Sequence, residues 1–326
     1  PGFHFLWCLA AQRKGMVIKM DFRELQYIIA IAKYQNITRA AESLYISQPT
    51  MTKFLQQLEK NINQKLFTRV GKKLLPTYAG ERYIDRAAEI LAIKNDLDQE
   101  LSDISDGASG SLKIGFSSIR GSEIILNVIP KFVKMHPGVQ IRFQETNADT
   151  FESLLISGEL DLAFYNLPIT SEHIEYQVIA YEEVILVASA DSSLCQLALP
   201  RPECRYPWLD LQYAKDETFI MLSKDLRMSS IVNELMIENR IRPKVSFYTK
   251  NVEAACILAS VGHGLAFTGE QHIRYTKFDH TPAMFSIGNP VTRRTFVAAS
   301  RKGAYLPPYA QDLIDLMRSS QQPNKF

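Results

Sequence analysis

Residues 37–62 read ITRAAESLYISQPTMTKFLQQLEKNI. Gln48, Thr50, Thr52, Lys53 and Gln56 are amide, hydroxyl and cationic side chains at spacings that gather them on one side of a helix. The opposite side carries Met51, Phe54, Leu55, Leu58 and Ile62, one apolar stripe. Amides and hydroxyls of this kind pair well with base edges in a duplex major groove, which is wide enough to admit a helix. Just downstream, LFTRVGKKLLPT sets Arg69, Lys72 and Lys73 on a short hairpin, a type of wing that could hold flanking phosphates. An ordinary helical hairpin with a solvated face has the same periodicity, so the basic hairpin is what favours a polyanionic partner.

The elements that must position these residues can be read around them. In residues 22–34, Phe22, Leu25, Ile28, Ile29 and Ala32 form one stripe. Thr38 is the expected N-cap of a short second helix that carries Arg39 and packs through Ala40, Ala41 and Leu44. Ser47 is the expected cap of the third helix, where Pro49 is tolerated because first-turn donors lack partners. The hairpin is expected over 66–69 and 72–75, turning near Gly71. Thr77 should cap a long helix to about residue 105, in which Tyr83, Ala87, Ile90, Leu97, Leu101 and Ile104 alternate by four and three. That heptad seam is expected to self-associate, with packing on its own domain as the competing reading.

Charge follows the same division. Between residues 20 and 80 nine cations face four carboxylates, leaving +5, whereas over 81–106 three cations face eight carboxylates, leaving −5. A basic head on a chain of net charge +2 points to a polyanion for the head alone. DGASGS at 106–111 breaks the helix. Beyond it LKIGF, VQIRF and LDLAFY alternate with helices, one from 122 to about 135 and one opened by Asp149 with Glu152 as capping-box partner. EEVILVAS, FIMLS, VSFYT and GLAFTG form a second set, and TFVAAS with a final helix closes the chain. Such alternation implies an α/β fold of parallel βαβ units.

No apolar run approaches the roughly 20 residues that cross a bilayer. Residues 1–19 are read as a non-native or upstream extension, with the natural start at Met20 or Met16. Cys8, Cys195, Cys204 and Cys256 have neither CxxC nor metal spacing and read as structural thiols of a reducing cytoplasm; a Cys195–Cys204 redox pair is the other reading. An α/β enzyme with a helical appendage would need chemistry that is not signalled: GxSxG, P-loop, GxGxxG and HExxH are all missing. A plain solute-binding protein shares the expected lobes, but the basic head argues against it.

From Phe22 to Gly80 the chain resembles the winged helix-turn-helix head of bacterial LysR-type transcriptional regulators. The resemblance rests on Phe22 with Leu25; Thr38, Ala40, Ala41 and Leu44; Ser47, Gln48 and Pro49; Leu58 with Glu59; Leu66, Phe67 and Arg69; and Pro76-Thr77 with Ala79-Gly80. Asn63 stands where Gly is usual, Phe54 where a polar residue is common and Lys53 where Arg is frequent. The resemblance extends more weakly to about residue 318. It implies a winged helix-turn-helix head over 20–77 (helix-turn-helix about 37–56), a dimerising linker helix over 78–106, a hinge at 107–111, and two lobes resembling type 2 periplasmic-binding proteins. The first lobe would comprise 112–181 plus 293–326 and the second 182–292. It further implies sequence-specific binding to promoter or operator DNA, a homodimer within a homotetramer, contact with RNA polymerase, a cytoplasmic location and no cofactor, metal or catalysis. An effector, expected to be a small carboxylate or amino acid, would lie between the lobes among Ser117, Ser118, Thr146, Asn147, Tyr165, Ser223, Arg227, Thr249 and the GHGL turn with His263. Strand C-terminal ends and helix N-termini make independent sense of such a site.

Overall fold

A computed structural model describes residues 21–106, 110–146, 148–224 and 226–321. The expected extension, Asn147 and most of the hinge lie outside these residues. The chain divides into two compact units, one holding the head and long helix together with segments 153–159 and 303–305, the other nearly all of the remainder.

In the first unit, α1 (Phe22–Tyr34) starts with a capping box: Asp21 accepts from the Arg23 N–H and Glu24 reaches back to the Asp21 N–H. Its buried residues are Leu25, Ile28, Ala30 and Ile31, while Phe22 is half exposed. The expected stripe is therefore rotated toward Ile31. A left-handed Gln35 (φ 49°) ends α1, which makes Asn36 rather than Thr38 the cap of α2 (Ile37–Ser43): Asn36 Oδ1 accepts from the Arg39 N–H at 3.1 Å. Ser47 caps α3 (Gln48–Ile62), and Asn63 ends it at φ 49°, a conformation that Asn tolerates almost as well as Gly. Strands β1 (Phe67–Val70) and β2 (Lys73–Pro76) pair antiparallel, one residue later than expected, because Leu66 is buried in the head core instead of opening the strand. That core joins Ile28, Ile31, Ala40, Ala41, Met51, Leu55, Leu58, Leu66 and Phe67.

Helix α4 (Tyr78–Asp106) begins hard against the wing. Thr77 Oγ1 donates to the Lys65 carbonyl at 2.6 Å and accepts from the Gly80 N–H at 3.1 Å. A Cβ at Gly80 would stand 1.9 Å from the Leu66 carbonyl oxygen, so only glycine permits this junction.

The second unit is built on one nine-stranded sheet, ordered β4-β3-β5-β11-β6-β9-β7-β8 with β10 beside β6. β3 (Gly110–Phe116), β4 (Val139–Glu145) and β5 (Leu162–Asn166) are parallel, as are β7 (Thr218–Leu222), β8 (Lys244–Thr249) and β9 (Leu265–Gly269). These two sets are the expected parallel units; β6 (Ile174–Ser189), β10 (Pro282–Ser286) and β11 (Arg293–Arg301), whose direction the sequence did not signal, run antiparallel to their neighbours. The long β6 pairs with β11 over 174–183 and with β9 and β10 over 184–189, so it crosses between two lobes with separate cores.

The helix expected from 122 starts at Ser118 as α5 (Ser118–Glu123), passes through a π-turn at Ile124–Val128 and ends as α6 (Ile129–Met135). Pro130 explains the π-turn, since it lacks an N–H and its ring crowds the preceding turn. The start of α7 (Ala148–Ile156), with α8 (Arg227–Glu238), α9 (Val252–Ser260), α10 (Glu270–Tyr275) and α11 (Pro308–Ser320), completes the unit. The alternation pattern did not signal α8, α9, α10 or β10. No helix among the described residues is long and apolar enough to cross a membrane.

Candidate nucleic-acid interface and effector cleft

In α3 the apolar side is anchored and the polar side is open. Met51, Leu55 and Leu58 are buried and Phe54 meets Tyr27 edge to face at 5.2 Å. Each such buried side chain contributes about 1.5–3 kcal/mol, enough to fix the helix's rotation. Gln48, Pro49, Thr50, Lys53 and Gln56 are exposed and Thr52 partly so. Gln48 Nε2 donates to Thr52 Oγ1 at 2.9 Å, and Thr52 donates to the Gln48 carbonyl at 3.0 Å, which orients both side chains before any partner arrives. Thr38 and Arg39 on α2 are exposed, as are Arg69, Lys72 and Lys73 on the wing. Sequence reasoning noted Glu59 but gave it no role. It is buried, accepting from the Leu66 and Phe67 N–H groups at 2.9 and 3.2 Å and from Lys65 Nζ at 2.6 Å, and so bolts the wing to the end of α3.

In the second unit, Ser117 follows β3 and Thr146 follows β4, where the Thr146 N–H donates to the Phe116 carbonyl. The Ser223 N–H donates to the Thr249 carbonyl at 2.9 Å, joining the ends of β7 and β8. Arg227 opens α8 and reaches the other lobe, with Nη1 on the carbonyls of Asn166 (2.7 Å) and Pro168 (2.8 Å) and Nε on Asp149 (3.2 Å). Three expectations are corrected. His263 lies in the turn before β9, and because β9 runs parallel to β7 this is the end opposite Ser223; the adjacent Gly264 packs on the Thr218 carbonyl. Tyr165 is buried beside Phe151 and under Arg227, its hydroxyl without a partner. Burial, with Glu152 nearby, holds that hydroxyl far above its usual range. Glu152 is no capping partner; it accepts from the backbone of Thr170 and Ser171. The Ser118 side chain and Asn147 lie outside what the structure describes.

Where the two lobes meet, a buried charge cluster escaped the sequence reading. Arg120 pairs with Glu123 at 3.0 Å and with Glu182, whose other oxygen accepts from Arg294 Nε at 3.0 Å and Asn166 Nδ2 at 3.3 Å. Arg120 also stacks on Phe296, 3.7 Å from the ring centroid. Burial would raise the Glu182 carboxyl, but Arg120 and Arg294 outweigh it and hold it at about 2. Arg294 packs closely on Gly269, where a Cβ would lie 2.2 Å from Nη2 and force the guanidinium to shift. The available signal was charge interrupting apolar strands, EEVILV and RRTFV.

Comparison with known proteins agrees with this two-part construction. Residues 22–81 match the bacterial regulatory helix-turn-helix protein family, lysR type, and residues 105–322 match the LysR substrate binding domain. The chain belongs to the LysR family. This LysR-type protein is a DNA-binding transcriptional regulator with a C-terminal effector-binding domain. Similar relatives include the HTH-type transcriptional regulators YcgK and BsdA of Bacillus subtilis. YcgK is 27% identical over 92% of this chain and 95% of its own. BsdA is also 27% identical, over 91% of this chain and 100% of its own. Among solved structures, a full-length OxyR variant from Pseudomonas aeruginosa matches with a TM-score of 0.67 at 20% identity, covering 92% of this chain and 97% of that one. CbnR, a LysR family transcriptional regulator, matches with a TM-score of 0.59 at 20% identity, covering 93% and 100%.

The regulator's long helix departs from the expected seam. Ala87 is buried and Tyr83 half-buried against the protein's own head, lining a recess of about 430 Å³ with Leu25, Ile62 and Leu66. Ile90, Leu97 and Leu101 stay exposed, joined by Ile93, which was not anticipated; the Ile104 side chain lies outside the described residues. Of the thiols, Cys256 is pushed up to about 12 by burial, and burial and Glu183 also raise Cys204, so neither is a ready nucleophile.

Proposed function

We propose that α3 of this regulator enters the major groove of a promoter or operator and reads it through Gln48, Thr50, Thr52, Lys53 and Gln56. Pro49 sets the first turn close to the duplex, while Thr38, Arg39, Arg69, Lys72 and Lys73 hold phosphates. The chain acts in the cytoplasm as a homodimer paired along α4, two dimers forming a homotetramer, and it engages RNA polymerase without catalysing a reaction of its own. A small carboxylate or amino acid binds between the lobes near Ser117, Ser118, Thr146, Asn147, Ser223 and Thr249. Its binding changes the interlobe angle, and through it the bend the paired heads impose on DNA.

The observation supporting this reading is the pre-oriented, solvent-open polar face of α3 beside a cationic wing. The test is selection of duplexes from a random-sequence pool, then affinity against salt. The expected result is one recovered motif with two related half-sites, and an affinity that falls linearly on logarithmic axes with a slope of several counterions. Recovery of no motif, or binding indifferent to salt, would overturn it.

A further inference from the structure

Among its contacts, the guanidinium of Arg227 is held to the other lobe in two different ways. Its Nη1 is anchored on two backbone carbonyls, that of Asn166 at the end of β5 and that of Pro168 just beyond it, at 2.7 and 2.8 Å. Its Nε meets Asp149 at 3.2 Å, and there the side chains are unequal: Arg227 is 23% exposed but Asp149 is 72% exposed. Beneath the guanidinium lies Tyr165, 5.3 Å from its ring centroid, with a buried hydroxyl that has no partner. Arg227 belongs to the lobe of β7 and β8, and every contact named here is to the other lobe.

We infer that Asp149 is a built-in stand-in for the effector's carboxylate: an anionic ligand displaces it from Arg227 Nε while Nη1 keeps its carbonyl anchors. Three features carry the inference. The carboxylate on α7 is mostly hydrated, so it leaves at little cost, an exposed pair of this kind being worth a factor of about five at most. The guanidinium is fixed by its anchors, so an incoming carboxylate meets a preoriented donor. And the anchoring Asn166 also donates from its side chain to Glu182, so a change at the cleft bears directly on the buried cluster between the lobes. The exchange conserves charge and requires no proton transfer. This inference rests on the cleft reading above, assigns the ligand's carboxylate to Arg227 and adds a competitor.

The experiment titrates succinate and benzoate, with succinamide and benzamide as neutral controls, into the full chain at fixed ionic strength, following heat of binding. Wild type, Asp149→Asn, Arg227→Gln, Arg227→Lys and Thr249→Val are compared, each checked for an unchanged melting curve and retained DNA binding. Expected is a carboxylate that binds Asp149→Asn roughly two- to fivefold more tightly than wild type. That gain should vanish in Arg227→Gln and return in part in Arg227→Lys, with no binding of the amides. Equal affinity of wild type and Asp149→Asn, with binding still lost in Thr249→Val, would overturn the competition yet leave the cleft reading standing. Carboxylate binding insensitive to Arg227 and Thr249 alike would remove the cleft reading as well. Failure of both carboxylates to bind Asp149→Asn would overturn the ligand class.

Discussion

Glu59 illustrates how a single carboxylate can fix a DNA-reading surface without touching DNA. Buried and accepting from two backbone N–H groups and Lys65, it couples the end of α3 to the first residues of the wing. Glu59→Ala would leave the Leu66 and Phe67 donors unsatisfied in a buried setting, a loss of about 1–3 kcal/mol in head stability. Thermal denaturation should register that loss, and Glu59→Gln, which retains an acceptor, should recover part of it. Residues on the open face should behave differently. Gln56→Ala should leave stability within about 0.5 kcal/mol of wild type and relax base preference at one position of the selected motif. Lys72→Ala should weaken all duplexes alike and reduce the salt slope by about 1. A Lys72→Ala protein with altered base preference would reverse the assigned division between groove and wing.

At the scale of elements, α4 shows what a heptad pattern can and cannot say. Tyr83 and Ala87 carry the same spacing as Ile90, Leu97 and Leu101, yet the first two close onto the protein's own head, Ile90 sits at the rim of that recess, and Leu97 and Leu101 remain open. Periodicity reports that a face is apolar; it does not report which surface covers it. The exposed run Ile90, Ile93, Leu97 and Leu101 predicts that Leu97→Glu combined with Leu101→Glu separates subunits, seen as a fall in mass by light scattering with the head still folded. An unchanged mass would place the pairing elsewhere. The same limit explains what was legible elsewhere. The helix-turn-helix could be read because the Ser47 cap, the short turn and the α3 stripe are all local, although the cap of α2 fell at Asn36 rather than Thr38. The antiparallel return of β6 and β11 could not, because their buried runs VILVA and FVAAS lack the apolar–polar alternation that would mark an antiparallel strand. His263 was misplaced for a related reason: a glycine-flanked turn looks alike at either end of a strand, and only the pairing of β9 with β7 decides it.

At the scale of the whole effector-binding unit, charge has been buried where the lobes join, and this should set its response to acid. His272, whose two ring nitrogens are buried and without a hydrogen-bond partner, is held down to about 3, by burial first and then by Arg294 and Arg120. The unfolded chain therefore takes up a proton near pH 6.5 that the folded chain refuses until about pH 3, so stability falls throughout that window. Glu182 acts in the same direction lower down. Its ionised form is favoured by folding, a stabilisation complete above its ordinary value of 4.5 and lost as pH falls toward about 2. Unfolding followed by Trp208 fluorescence in a Trp7→Phe background should thus weaken from pH 6.5 downward by up to about 1.4 kcal/mol per pH unit, and more steeply below 4.5. His272→Leu should flatten the upper part of the curve and leave the lower part, because an apolar ring position has no proton to gain. Arg120→Met should instead destabilise at neutral pH, by about 3–5 kcal/mol, since it strands buried Glu182 with Arg294 as its remaining cation. If His272→Leu keeps the full slope between pH 6.5 and 4.5, the acid sensitivity belongs to other groups and the joint between the lobes is not where this unit senses protons.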